Sequence, residues 1–315
     1  MIVTEDLSKE FEEFIAVNGV NLKVGAGEVL ALLGPNGSGK TTTVRMLTSI
    51  LGPTRGWARV AGYDVVLQAD KVRASVGVLT EHHGLYSRMP AEEYLDFFGQ
   101  LYGIDPPSRQ KRADDMLERF GLAPFKKRAV GKFSRGMQQK LSLARTLLHE
   151  PPVLLLDEPT SAMDPESARL VRDAIQVLRS SDRAIILCTH NLAEAEELAD
   201  KIAIIRYGKI IAQGTPGELR QRLLGPAVYE VRFGFSTGFE QLSLPNNLQI
   251  SARGENWLRY RSSQPETDNP LVLQHLLNLG LKVISLEEVQ RSLEQIYLQV
   301  MHEPQTTHLE PSNDG

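Results

Sequence analysis

The octapeptide GPNGSGKT, residues 34–41, has the spacing G-x-x-x-x-G-K-[ST]. Glycines let a backbone wrap closely around an anion. The N–H groups of such a loop, and the positive end of the helix after it, face that anion. Lys40 can reach the outer phosphates of a nucleoside triphosphate, and the Thr41 hydroxyl can ligate Mg²⁺. The candidate cradle is therefore Gly34, Pro35, Asn36, Gly37, Ser38, Gly39, Lys40 and Thr41, with Thr42 beside it. A second run, VLLLDEPT at 153–160, ends four apolar residues in two carboxylates. Charge at the end of a buried strand needs a partner, and a hard metal ion suits it. Asp157 would hold Mg²⁺ through water, and Glu158 would polarise an attacking water as general base. A third run, ILCTHNLAEA at 186–195, sets His190 just past another buried strand. Its imidazole can contact the terminal phosphate and help orient the water.

These groups need elements to hold them. Residues 28–33, 153–156, 184–188 and 202–205 are short apolar runs that read as buried strands. Residues 41–51, 117–121, 137–149 and 166–179 carry helical patterns. Strands alternating with helices predict an α/β domain over residues 1–220 with a mainly parallel sheet. Gly225-Pro226 punctuates the chain. Beyond it, strands at 228–233, 257–261 and 283–286 and helices at 271–278 and 293–301 predict a small α+β domain over 226–302. Residues 303–315 have too few large apolar side chains to fold, and disorder is expected there.

Bulk properties narrow the classes. No apolar run among the 315 residues approaches the ~18–20 needed to span a membrane. The acidic start lacks an apolar core, so no signal peptide is expected. The single cysteine, Cys188, forms no intrachain disulfide and fits a reducing cytoplasm. The net charge of −4 falls wholly after Arg220, the first 220 residues being balanced. Neither part has the basic excess that favours nucleic acid, and no such partner is expected. His275 and His302 read as structural or exposed.

The motifs in order resemble the ATP-binding subunit of an ABC transporter, a P-loop NTPase. FSRGMQQKLSLARTLL, before the Asp-Glu strand, is similar to the signature motif that separates these ATPases from other P-loop proteins. SAMD at 161–164 resembles the D-loop, His190 the switch histidine, and Phe11 the aromatic that stacks on adenine. The resemblance covers residues 1–220 and implies an α/β domain with a helical subdomain. More loosely, the remainder resembles the extension on drug, antibiotic and polysaccharide exporter ATPases, including the daunorubicin-resistance type.

That resemblance implies a mechanism. Two ATPase domains, from a homodimer or a paralogue pair, close head to tail over ATP and Mg²⁺. Ser134 and the backbone of Gly136 present donors to the phosphate held by the other domain, and Asp164 links the two sites. Closure is passed to a separate polytopic membrane subunit through the segment 82–101, which places the ATPase at the cytoplasmic face of the membrane. Two positions depart from the pattern. Arg135 and Met137 stand where Gly and Gln are commonest, and Glu81 stands where glutamine reaches Mg²⁺ and water. Glu81 is expected to remain a metal-linked sensor, because a carboxylate is a hard oxygen ligand. Two other readings stay open: a soluble ABC ATPase acting on ribosome or DNA, and a regulatory subunit with weak hydrolysis. Against the former, the chain has one ATPase domain and no sustained heptads between Lys40 and Asp157. Against the latter stand Lys40, Asp157, Glu158 and His190.

Overall fold

The computed structural model describes residues 1–80, 84–161, 163–234, 242–289 and 297. Glu81, Ala162 of the SAMD motif, all but Tyr297 of the helix expected over 293–301, His302 and the tail 303–315 lie outside the described residues. The chain forms two compact units, the first Met1–Pro216 and the second beginning at Gly217.

In the first unit the chain opens with β1 (Ile2–Phe11), β2 (Phe14–Val24), β3 (Val29–Leu33), α1 (Lys40–Leu47), β4 (Arg55–Val60) and β5 (Tyr63–Asp64). It continues through α2 (Ala69–Ser75), β6 (Val76–Leu79), α3 (Ala91–Leu101), α4 (Pro106–Arg119) and α5 (Arg135–Leu147). It ends with β7 (Val153–Asp157), α6 (Pro165–Val177), β8 (Ala184–Thr189), α7 (Leu192–Leu198), β9 (Lys201–Arg206) and β10 (Lys209–Gly214). Six strands form one sheet in the order β10-β9-β3-β8-β7-β6. All its pairings are parallel except β9 with β10, which turn back at Tyr207 and Gly208. Four strands form a second, antiparallel sheet, β2-β1-β4-β5.

Every residue of β3, β7 and β8 is buried. Strands covered on both faces read as continuous apolar runs, which is why their positions were visible. Alternate side chains feed two cores. Leu30, Leu32, Val153, Leu155 and Ile186 join the cluster with β1, β2 and α1. Val29, Leu154, Leu156, Ile185 and Leu187 join the cluster with α3, α4, α5 and α6. Each leucine so buried stabilises the unit by roughly 1.5–3 kcal/mol, and truncation to alanine would cost about 2–5 kcal/mol.

Helix boundaries differ from expectation for local reasons. α1 stops at Leu47 rather than residue 51, because Ser49 takes a left-handed φ of 57° and Ile50 and Leu51 both donate back to Arg45 O. α4 begins far upstream of residue 117. Asp105 caps it by accepting from Ser108 N at 3.1 Å, and two prolines fill its first turn.

The second unit holds most of α8 (Pro216–Leu224), then β11 (Ala227–Phe233), β12 (Ile250–Arg253), β13 (Trp257–Ser262), α9 (Pro265–Asn278) and β14 (Val283–Glu288). Its antiparallel sheet runs β12-β13-β11-β14. Tyr229, Val231, Phe233, Leu258 and Tyr260 pack with Val272 and Leu276 of α9. α9 begins six residues before the expected 271; it carries Pro270 inside it, which in sequence reads as a boundary.

Candidate functional site

The cradle is built where β3 ends and α1 begins. Two glycines there are required by contact. A Cβ on Gly34 would stand 2.3 Å from Ile205 O, and one on Gly39 would stand 2.6 Å from Ala16 O. Gly39 also caps α1 with φ 108°, a conformation that L side chains rarely adopt. The loop is braced from below: Gly208 N donates to Ser38 O at 2.9 Å, and Asn18 N to Gly208 O at 2.8 Å. A cavity of about 350 Å³ lies over it, lined by Phe14, Ala16, residues 36–42 and Glu158.

Chemistry converges at the strand ends. Lys40, 5% exposed, donates to Gly34 O at 2.7 Å and Pro35 O at 3.2 Å. Its Nζ is also 3.2 Å from Glu158 Oε1. His190 Nδ1 lies 2.8 Å from Glu158 Oε2. Glu158 thus bridges the cradle lysine and the strand-end histidine, its side chain only 10% exposed while that of His190 is 52% exposed. The backbone of Glu158 is left-handed, φ 52°, and its N–H donates to Cys188 O at 2.9 Å. Next to it the Thr41 hydroxyl donates to Asp157 Oδ2 at 2.9 Å. Cys188 is fully buried, and burial pushes its thiol well up; it is core packing on β8, paired with Leu32 of β3 on one side and Asp157 of β7 on the other.

Hydroxyl and carboxylate oxygens joined at the end of a buried strand are the donor chemistry of a hard divalent ion, so Thr41 and Asp157 fit Mg²⁺. Glu81, the third expected ligand, lies outside the described residues.

Other expected residues stand apart from this cluster. Ser134 caps α5 by accepting from Met137 N at 3.3 Å, and Asp164 caps α6 by accepting from Ser167 N at 2.9 Å. Both are exposed, and the Ser167 N–H holds the Asp164 carboxyl below the usual aspartate range. The two helix starts adjoin: a Cβ on Gly136 would meet Ser167 Oγ at 3.2 Å. None of Ser134, Gly136 and Asp164 is among the described residues lining the cavity. Phe11 stacks on Phe14 with ring centroids 5.3 Å apart, and Phe14 is the ring that lines the cavity. Sequence reasoning missed Phe14, although it lies in the same FEEF stretch. It also missed Gln139, which donates to Pro159 O at 2.5 Å and so ties α5 to the turn after Glu158.

A family model described as "ABC transporter" matches residues 17–161. The chain is 40% identical over 219 residues to the ABC transporter ATP-binding protein NatA of Bacillus subtilis, covering 68% of this chain and 89% of that protein. It is 34% identical over 319 residues to the daunorubicin/doxorubicin resistance ATP-binding protein DrrA of Streptomyces peucetius, covering 96% of this chain and 93% of the relative. A solved ATP-binding subunit of an ABC transporter superposes with a TM-score of 0.65 at 28% identity, covering 71% of this chain and 94% of that one.

Proposed function

The chain belongs to the ATP-binding family of ABC transporters and is an ATPase, and from that premise we propose that it is the energising subunit of a membrane exporter. The observation that carries the reading is the chain of contacts from Lys40 through Glu158 to His190 beside the Thr41–Asp157 pair. The relatives' names, one of which is a daunorubicin/doxorubicin resistance protein, support the exporter assignment. None of the described helices is long and apolar enough to cross a membrane, so the translocation path is assigned to a separate membrane subunit.

Each group then has a task. The loop N–H groups, Lys40 and the start of α1 bind the phosphates of ATP. Thr41 and Asp157 hold Mg²⁺, which supplies charge neutralisation at those phosphates. Lys40 and Glu158 pair at 3.2 Å, so a phosphate in the cradle competes with Glu158 for the ammonium. Released from that pairing, Glu158 takes the proton of the attacking water, with His190 at 2.8 Å orienting the carboxylate. Phe14 and Phe11 offer stacked ring faces to the base. Because Ser134, Gly136 and Asp164 lie off the cavity, they act on the nucleotide of a second ATPase domain, and closure depends on ATP. Glu81 is assigned to sense the metal. An unaltered Mg²⁺ titration and turnover in Glu81→Gln would remove it from that role.

The segment 82–101 faces the membrane subunit. Support comes from the ring cluster of Tyr86, Tyr94, Phe97 and Phe98, with Arg145 over Phe98 at 5.1 Å and Tyr86 half exposed. The α+β domain expected over residues 226–302 serves as an accessory module for dimer contact or regulation. The reading predicts that a neighbouring gene encodes a polytopic membrane protein, and the deciding experiment co-expresses the two. Stable co-purification and ATP-dependent efflux from vesicles, lost in Lys40→Ala and Glu158→Gln, is the expected result. Efflux that persists in both variants would overturn the reading.

A further inference from the structure

Glu194 is a buried carboxyl that the chemistry above does not use. It is 1% exposed and is the third residue of α7, four positions past His190. Asn191 caps α7, its side chain accepting from Glu194 N at 3.2 Å. Asn-x-x-Glu at a helix start has the spacing of a capping box, in which the glutamate turns back to the N–H of the cap residue. Here that N–H already donates to Thr189 Oγ1 at 3.0 Å. Glu194 instead accepts from Thr160 Oγ1 at 2.8 Å, across 34 positions of chain. A group suited to local capping has been turned to a tertiary contact.

What it contacts is the turn after the catalytic strand. Thr160 lies two residues past Glu158, whose φ of 52° is unfavourable for a non-glycine residue. Such a conformation persists only when its surroundings determine it. From α5, Gln139 holds Pro159 O. From α7, Glu194 holds Thr160. Thr189, the residue before His190, also faces the Glu194 carboxyl; burial pushes that carboxyl's pKa up, and the Thr189 and Thr160 hydroxyls oppose the rise. One side chain, on the helix that follows His190, therefore holds the turn that aims Glu158.

We propose that Glu194 is a positioning residue for hydrolysis, which through Thr160 locks the Glu158 turn in register with His190. The inference rests on the roles assigned above to Glu158 and His190. Misplacing a reacting group by about 1 Å can cost on the order of 10²-fold in rate. In the purified full chain, single-turnover hydrolysis by Glu194→Ala should fall roughly 10- to 100-fold, with the ATP Kd changed less than about 3-fold. Glu194→Gln should stay within about 3-fold of the parent, because the amide oxygen accepts the same bond. Thr160→Val should reproduce the loss, and the double variant Glu194→Ala/Thr160→Val should be no slower than the slower single variant. Additive losses, a Glu194→Ala rate equal to the parent, or a Glu194→Gln rate as low as that of alanine would each overturn the proposal. If Glu194→Ala does not fold, Thr160→Val and Glu194→Gln carry the test. Glu158→Gln, run alongside, separates the two levels: hydrolysis at the parent rate there removes the assigned base itself, whatever Glu194 does.

Discussion

The parallel sheet of the first unit and the antiparallel sheet of the second use burial in opposite ways. In β3, β7 and β8 both faces are covered, and charge is confined to the strand ends, where Asp157, Glu158 and His190 gather. In β11 and β13 one face is apolar and the other is charged along its length. Glu230 there accepts from Arg232 Nε at 2.8 Å and Arg259 Nε at 2.7 Å, and Arg259 lies over Trp257 at 4.8 Å. A sheet sealed on both faces can present polar groups only at its edges and ends, so its charges converge on one spot. A sheet wet on one face spreads them, and each finds a neighbour instead of a ligand. Convergence marks the first unit, and mutual pairing marks the second.

The contrast makes graded predictions. The largest effect belongs to Glu158→Gln, which should lower single-turnover hydrolysis by about 10²–10³-fold while ATP binding persists, because it removes the base and leaves the cradle. Next is Gly39→Ala. Its Cβ would meet Ala16 O at 2.6 Å at a φ of 108°, so nucleotide affinity should fall at least about 10-fold and the unfolding temperature should drop. Binding assays and thermal melts of the two variants together show whether chemistry and cradle separate.

Acid should then distinguish the units. His149 is half-buried, Nε2 3.1 Å from Val76 O, and stacked on Tyr102 at 4.0 Å. Burial lowers its pKa, with Arg112 adding to the shift. A histidine that resists protonation when folded contributes stability that is full above the ordinary histidine range and is lost as pH falls through it. Glu230 is held below the ordinary glutamate range, first by the Arg259 hydrogen bond, so its contribution is lost only at lower pH, through the carboxylate range. Urea melts across about pH 7.5–3.5 should show the first unit beginning to weaken near pH 6, and the second holding until the carboxylate range near pH 4, where lowered carboxylates such as Asp164 weaken the first unit further. His149→Gln should flatten the first slope and leave the second. The smallest effect is expected from ending the chain at residue 225. Single-turnover hydrolysis should stay within about 3-fold, since the groups proposed for catalysis lie before Pro216. A loss beyond about 10-fold would break the distinction between the units.

The same physics decides what could be read from sequence. The buried strands and the cradle were legible because double burial writes continuous apolar runs, and because phosphate binding demands glycines and a lysine at fixed spacing. β1 was not legible: its pairing with β2 shifts register three times, between Thr4 and Leu7, Leu7 and Lys9, and Lys9 and Glu10, which scrambles the alternation of IVTEDLSKEF. α4 hid behind its charge, since only Ala113 and Leu117 of its 14 residues are buried. In the site, Lys40, Asp157, Glu158 and His190 were visible as motif members. Gln139 and Glu194 were not, because their partners, Pro159 and Thr160, lie 20 and 34 positions away and no local spacing encodes the contact.

The left-handed backbone of Glu158 has a consequence for descent. Asparagine and glycine adopt that conformation at lower cost than glutamate, by on the order of 1 kcal/mol. Folding alone would therefore favour exchanging this residue, and the base role proposed for Glu158 is what would retain it. A lineage released from that need should lose Glu158 early, and its descendants should be more stable proteins that still bind nucleotide. On the proposed role the position is a gauge of selection: a glutamate there would mark a lineage in which turnover is still required.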